Sequence, residues 1–124
     1  MEINDLTYLR GAMFNVHSAL GPGLFESVYE AALHYELLQE GLDVKVQMGL
    51  PVQYNSVLLE LGFRVDLLVE DQVIVEIKSV QELKDVYKKQ LTTYLKLSGK
   101  KIGILVNFNV SSLVDKISLI RIIQ

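Results

Sequence analysis

The chain has 124 residues, half of them apolar and 22% charged, with a net charge of −3. That length holds one core and is too short for two, so a single domain over residues 1–124 is expected. There is no cysteine and there are only two histidines, which argues against a disulfide framework, a thiolate metal site and a structural zinc site. No apolar run reaches the ~18 residues of a membrane span, and Met1-Glu2-Ile3-Asn4-Asp5 lacks the basic start of a secretory signal. A cytoplasmic protein is the expectation.

In chain order, Asp5 is placed to cap a helix with the apolar stripe Leu6, Leu9, Met13, Val16, Leu20. Gly21-Pro22-Gly23 stops it. The spacing predicts a second helix from about Leu24 to Glu40, with Val28, Ala31, Ala32, Tyr35 and Leu38 inward and Gly41 as its stop. Extended segments follow at Leu42–Met48, at Leu50–Tyr54 (an edge, given Pro51) and at Val57–Val69, where Gly62 marks a bend or bulge. A strand at Val73–Val80 leads into a third helix, about Gln81–Ser98, ended by Gly99. Strands at Ile102–Phe108 and Lys116–Ile123 complete the chain. A helix between the Val73 and Ile102 strands is a crossover and allows them to pair in parallel. The expected architecture is α/β, a mixed sheet flanked by helices.

The hairpin Arg64-Val65-Asp66 … Glu76-Ile77-Lys78 carries the chemistry. A turn at Glu70-Asp71-Gln72 pairs Val69 with Val73 and sets Asp66 opposite Glu76. By strand alternation one face reads Phe63, Val65, Leu67, Val69, Val73, Val75, Ile77, all apolar, while Arg64, Asp66, Glu76 and Lys78 share the other. Opposed carboxylates repel unless something positive lies between them, and hard divalent cations favour oxygen ligands. Asp66 and Glu76 are therefore candidate ligands for Mg²⁺ or Mn²⁺, with the Ile77 carbonyl as a further oxygen. Lys78 is placed to neutralise a phosphate or orient water. The bland reading of Glu-x-Lys is a salt-bridged surface.

Charge is unevenly spread. Residues 1–60 carry eight acids and two bases; residues 61–124 carry seven acids and ten bases. A nucleic acid would lie along the second half, where Lys84, Lys88, Lys89, Lys96, Lys100 and Lys101 cluster, although a lysine-rich solvated helix reads the same way.

Asp66 followed by Glu76-Ile77-Lys78 resembles the signature of the PD-(D/E)XK nuclease superfamily, with Val65 where the signature's name has proline. Gly23-Leu24-Phe25-Glu26-Ser27-Val28-Tyr29 resembles the Gly-x-x-Glu-x-x-Tyr motif of its GxxExxY branch. The resemblance implies a restriction-endonuclease-like core with an extra N-terminal helix, and a metal-dependent nuclease acting on nucleic acid, DNA before RNA. It implies metal-binding roles for Asp66 and Glu76, a catalytic role for Lys78, and a place near the metal for Glu26. Gln90-Leu91-Thr92-Thr93-Tyr94 is similar to the Gln-x-x-x-Tyr motif of the exonuclease branch. Gln90 and Tyr94 share a helix face, and as a half-buried amide needing partners Gln90 is the stronger candidate for a site-supporting role. Tyr29 and His17 are site-adjacent candidates, each with an ordinary alternative as a core or helix-end residue. Glu26 has one too, since a helix N-terminus favours a carboxylate.

Two other functions fit the pattern less fully: a non-catalytic nucleic-acid- or protein-binding module retaining the nuclease fold, and a hydrolase of other phosphate esters. The β-prone run Ile117–Ile123 would be a sticky edge if uncovered. A homodimer through that edge or the first helix, or a protein partner supplying specificity, is therefore also expected.

Overall fold

A computed structural model describes residues 6–124. The elements are α1 (Thr7–Leu20), α2 (Glu26–Gln39), β1 (Val44–Tyr54), β2 (Val57–Val69), β3 (Val73–Lys78), α3 (Asp85–Ser98), β4 (Ile102–Asn107) and β5 (Leu119–Ile123). The expected Asp5 cap lies outside the described residues. The strands form one mixed sheet in the order β1-β2-β3-β4-β5. β3 and β4 run parallel through the α3 crossover, as expected, and the other neighbours are antiparallel.

The hairpin register is the expected one: Val69 pairs with Val73, Leu68 with Ile74 and Leu67 with Val75. Glu70 and Asp71 take φ of 54° and 55° at its turn. β1 is a single strand rather than two, bulged against β2 between Leu50 and Val52. Gly62 sits at that bulge, where a Cβ would collide with the Val52 side chain.

One apolar cluster lies between the sheet and α1 and α2. It contains Leu9, Met13, Val16, Tyr29, Leu33 and Leu37 from the helices and Leu67, Val69, Val73, Val75 and Ile77 from the hairpin. A second lies under α3 and contains Leu68, Ile74, Leu91, Leu95 and Leu105. Phe63 and Val65 also pack in this second cluster, which corrects the expectation that they share a face with Leu67. The reason is a kink at Gln47, whose φ is 51°. Val46 pairs with Leu67 and Met48 with Val65 on either side of it. β1 changes face there as well: Val44 packs with the first cluster, Met48 with the second. Arg64 braces the kink by donating to the Gln47 carbonyl (3.1 Å).

The inward face of α2 also differs from expectation. Tyr29, Leu33 and Leu37 are buried, whereas Val28, Tyr35 and Leu38 are exposed. Leu20 of α1 is exposed too. The helix carries a second apolar stripe beside the predicted one, so periodicity alone does not choose between them; the position of Tyr29 does. α3 begins at Asp85 rather than Gln81, and β5 at Leu119 rather than Lys116. Lys116 has a φ of 71°, a left-handed value that breaks the extended run before β5. β5 is an edge strand, as expected. Among the described residues no helix is long and apolar enough to cross a membrane.

Close approach of α3 to β4 depends on Gly103, where a Cβ would meet Leu91 Cδ1 at 2.8 Å and Cγ at 2.9 Å. Gly103→Ala is expected to lower the unfolding free energy by about 1–3 kcal/mol, as overpacking does. A urea titration checks this, with an unchanged midpoint as the contrary result.

Candidate active site

The β2–β3 ladder ends after Leu67 and Val75, and the next opposed residues are Asp66 and Glu76. Their side chains replace the missing ladder partners. The Asp66 backbone N–H donates to Glu76 Oε2 (2.8 Å), and the Ile77 N–H donates to Asp66 Oδ2 (2.7 Å). Each carboxylate thus takes a main-chain donor of the opposite strand. The sheet stops pairing there without orphaning either N–H.

Glu76 is 5% exposed. Burial, together with the Asp66 charge, pushes its carboxyl up to about 7, against the opposing pull of the Asp66 N–H and of Lys78. The Asp66 Oδ1 accepts from Gln47 Nε2 (3.2 Å), and the same amide donates to Glu30 Oε2 on α2 (2.7 Å). Burial raises the Glu30 carboxyl as well, and Asp66 adds to it. The kink at Gln47 therefore has a local use: it aims an amide at the gap between Asp66 and Glu30. Among the described residues no three acidic or histidine side chains converge closely enough to hold a metal ion.

Lys78 ends β3, with its ammonium over the Tyr87 ring of α3, 4.8 Å from the centroid. Tyr94, about two turns further along α3, stacks on Phe63 with centroids 4.3 Å apart. Its phenol is raised by burial and then by the Glu76 and Asp66 charges, so it lies within electrostatic reach of the carboxylates. Gln90 is exposed, so the expectation of a half-buried amide is corrected: of the Gln-x-x-x-Tyr pair it is Tyr94 that packs against the site. The reason is that Leu91 and Leu95, one position on, face the sheet, which turns Gln90 to solvent.

Glu26 opens α2 and accepts from the Ser79 N–H through Oε2 (3.1 Å). Ser79 Oγ in turn donates to the Leu24 carbonyl (2.6 Å). The N-terminus of α2 is thereby fastened to the residue after Lys78. Tyr29 is fully buried. Its hydroxyl donates to the Gly21 carbonyl (2.6 Å) and accepts from the Leu24 N–H (3.1 Å), holding the Gly-Pro-Gly turn closed. Its ring stacks on Phe108 (4.6 Å). His17 donates from Nε2 to the Val110 carbonyl (2.7 Å) and also stacks on Phe108. Both residues brace loops behind the site and neither reaches the carboxylates.

Several site residues were not singled out by sequence reasoning. Gln47 and Glu30 come to Asp66 from β1 and α2, a contact with no local sequence signature. Asn107 is 1% exposed. It holds the chain after β3 by donating to the Val80 carbonyl (2.9 Å) and accepting from the Val80 N–H (3.0 Å). A buried asparagine ending an apolar strand was the available signal.

Two outcomes follow from this geometry. Removing the Tyr29 hydroxyl takes away the partner of the part-buried Gly21 carbonyl and Leu24 N–H, so Tyr29→Phe is expected to cost about 1 kcal/mol in urea unfolding. The second concerns pH. In the folded chain Glu76 keeps its proton up to about pH 7, whereas in the unfolded chain it loses it near its ordinary 4.5. Between those values the folded state binds more protons, so metal-free stability is greatest below the lower value and falls as pH rises through the upper. Urea midpoints across this window are expected to decline in wild type and to flatten in Glu76→Gln.

The sequence matches the family model of the PD-(D/E)XK nuclease superfamily over residues 4–120. No curated protein and no solved structure matches it. The match takes in all but a few residues at either end, and the mixed sheet with its crossover helix agrees with it: the chain belongs to the PD-(D/E)XK nuclease superfamily.

Proposed function

We propose that this protein is a Mg²⁺- or Mn²⁺-dependent nuclease of the GxxExxY branch, acting on DNA in preference to RNA. The observation that carries the reading is the apposition of half-buried Asp66 and buried Glu76, the second of which is pushed up to about 7. Two apposed carboxylates under such pressure are an expense that a bound cation removes. The donor set suits the ion: Mg²⁺ is commonly held by one or two carboxylates and completed by water and substrate phosphate, rather than by a cage of protein ligands. Asp66, Glu76 and the Ile77 carbonyl would hold it. Glu26 is engaged by the Ser79 N–H through one oxygen, which suits an outer position more than direct ligation.

When bound, such a cation polarises the scissile phosphate and makes water a better nucleophile. The protein's own residues do the rest. Lys78 neutralises charge developing on the phosphate, its ammonium held in place by the Tyr87 face. Gln47 fixes the rotamer of Asp66. Tyr94 and Phe63 wall the site on the α3 side and limit water there. Glu26, Ser79 and Asn107 hold the backbone that follows Lys78.

Incubation of labelled single- and double-stranded DNA and RNA with Mg²⁺ or Mn²⁺ tests the assignment. Cleavage is expected in wild type, abolished in Glu76→Gln, and slowed about 10²–10³-fold in Lys78→Ala. Calorimetric Mn²⁺ binding is expected to vanish in Asp66→Ala. Undiminished cleavage by Glu76→Gln rejects the site. Association without cleavage, surviving Lys78→Ala, would assign the binding-module reading instead.

A further inference from the structure

Beyond the edge strand β5 runs an open groove of about 540 Å³, bounded by α1 on one side and α3 on the other. Its charged lining is Arg10, Lys88, Asp115, Lys116 and Arg121. Arg10 and Asp115 cancel: they form a bidentate pair closing to 2.7 Å. Arg10 and Lys116 both hold the Asp115 carboxyl below its ordinary range. Lys88, Lys116 and Arg121 remain as a net surplus of three positive charges, in a chain whose total is −3. The floor is apolar, with Leu119 and Ile120.

The groove lies at the same end of the sheet as Lys78. Lys78 is level with Asn107 on β4, and the Asn107 N–H donates to the Ser118 carbonyl just before β5 (2.8 Å). Two strand spacings, about 10 Å, therefore separate Lys78 from the start of β5. That span is on the order of three base-pair rises along a duplex axis. Tyr87 and Lys88 join the two places, since Tyr87 lies under the Lys78 ammonium while the adjacent Lys88 lines the groove.

We propose that this groove is a second binding site, which holds the sugar-phosphate backbone of a nucleic-acid strand on one side of the bond presented to Asp66, Glu76 and Lys78. This rests on the nuclease reading for its direction. Charge complementarity selects the ligand: three cations, one of them at a half-buried position on α3, face an open channel whose only described acid is already paired. Arg10 orders the wall through Asp115 and through its guanidinium over the Phe14 ring (4.4 Å). It is a positioning residue here, not a phosphate ligand.

The test measures binding of fluorescent single-stranded and duplex oligonucleotides to the full chain by anisotropy over a salt series in Mg²⁺-free buffer. The proteins are wild type and Lys88→Gln/Lys116→Gln/Arg121→Gln, and cleavage is followed separately in Mg²⁺. The groove variant is expected to bind about tenfold or more weakly, with the slope of log affinity against log salt reduced by about 2–3. Unfolding curves establish that the three exposed or half-buried substitutions leave the fold intact, and Lys88→Gln alone serves if they do not. Unchanged affinity and salt slope in a folded groove variant overturn the proposal while leaving the nuclease reading standing. Groove-dependent binding with no cleavage by wild type supports the groove and removes the nuclease reading. Equal competition by polyglutamate overturns the assignment to nucleic acid in favour of an acidic protein. Altered sedimentation of the groove variant with unaltered oligonucleotide binding would make the edge an interface between copies and likewise overturn it.

Discussion

The reciprocal capture of the Asp66 N–H by the Glu76 carboxylate and of the Ile77 N–H by the Asp66 carboxylate is the constraint on which the site depends. A carbonyl in place of either carboxylate would continue the β2–β3 ladder; a carboxylate ends it and leaves charge at its end. The local balance is unfavourable to that charge. A single N–H bond stabilises an ionised carboxylate, but burial at 5% exposure and a second carboxylate alongside outweigh it, and Glu76 is pushed up to about 7. Strand pairing sets the two acids opposite each other, and the apolar clusters on both faces of the sheet remove the water that would have screened them. The chemistry proposed for the site uses the same strain that folding creates.

Around this pair the Gly-x-x-Glu-x-x-Tyr segment acts as joinery. Tyr29 closes the turn before α2 through Gly21 and Leu24, and Leu24 and Glu26 then hold Ser79 from two directions. Asn107 secures Val80 from β4. Lys78 is thus the last residue of β3 followed by a segment fixed from both α2 and β4, although that segment has no regular structure. A lysine carries several rotatable bonds, and its use at a fixed distance from a phosphate requires a rigid base and a platform for its tip. The clamps on Ser79 and Val80 supply the first and Tyr87 the second.

Much of this was legible in the sequence because it is local. The turn at residues 70–72, the register of Val69 with Val73 and the parallel crossover follow from spacing and chain order alone. What was not legible depends on tertiary contact. Strand alternation fails at Gln47 and Asp66, because a left-handed residue on β1 reverses the faces of both strands. Phe63 therefore meets Tyr94 instead of joining the core under α1. α2 has two apolar stripes, and only the docking of Tyr29 on Phe108 selects between them. Gln90 and Tyr94 share a helical face, but Leu91 and Leu95 set the rotation that exposes the first and half-buries the second. Gln47 and Glu30 reach Asp66 from distant positions and left no pattern to find.

Proton and cation compete for the same oxygen if Asp66 and Glu76 bind a cation as proposed. Near neutral pH the metal-free pair lowers its own repulsion by retaining a proton on Glu76. A cation must displace that proton, so its affinity rises with pH and binding releases close to one proton below pH 7. Stability of the metal-free chain runs the other way, falling as Glu76 ionises. The two trends have a single origin in the burial of one carboxylate beside another. The folded chain is therefore least comfortable without a cation in the pH range where it would bind one best. That coupling is a thermodynamic consequence of the geometry and requires no conformational switch.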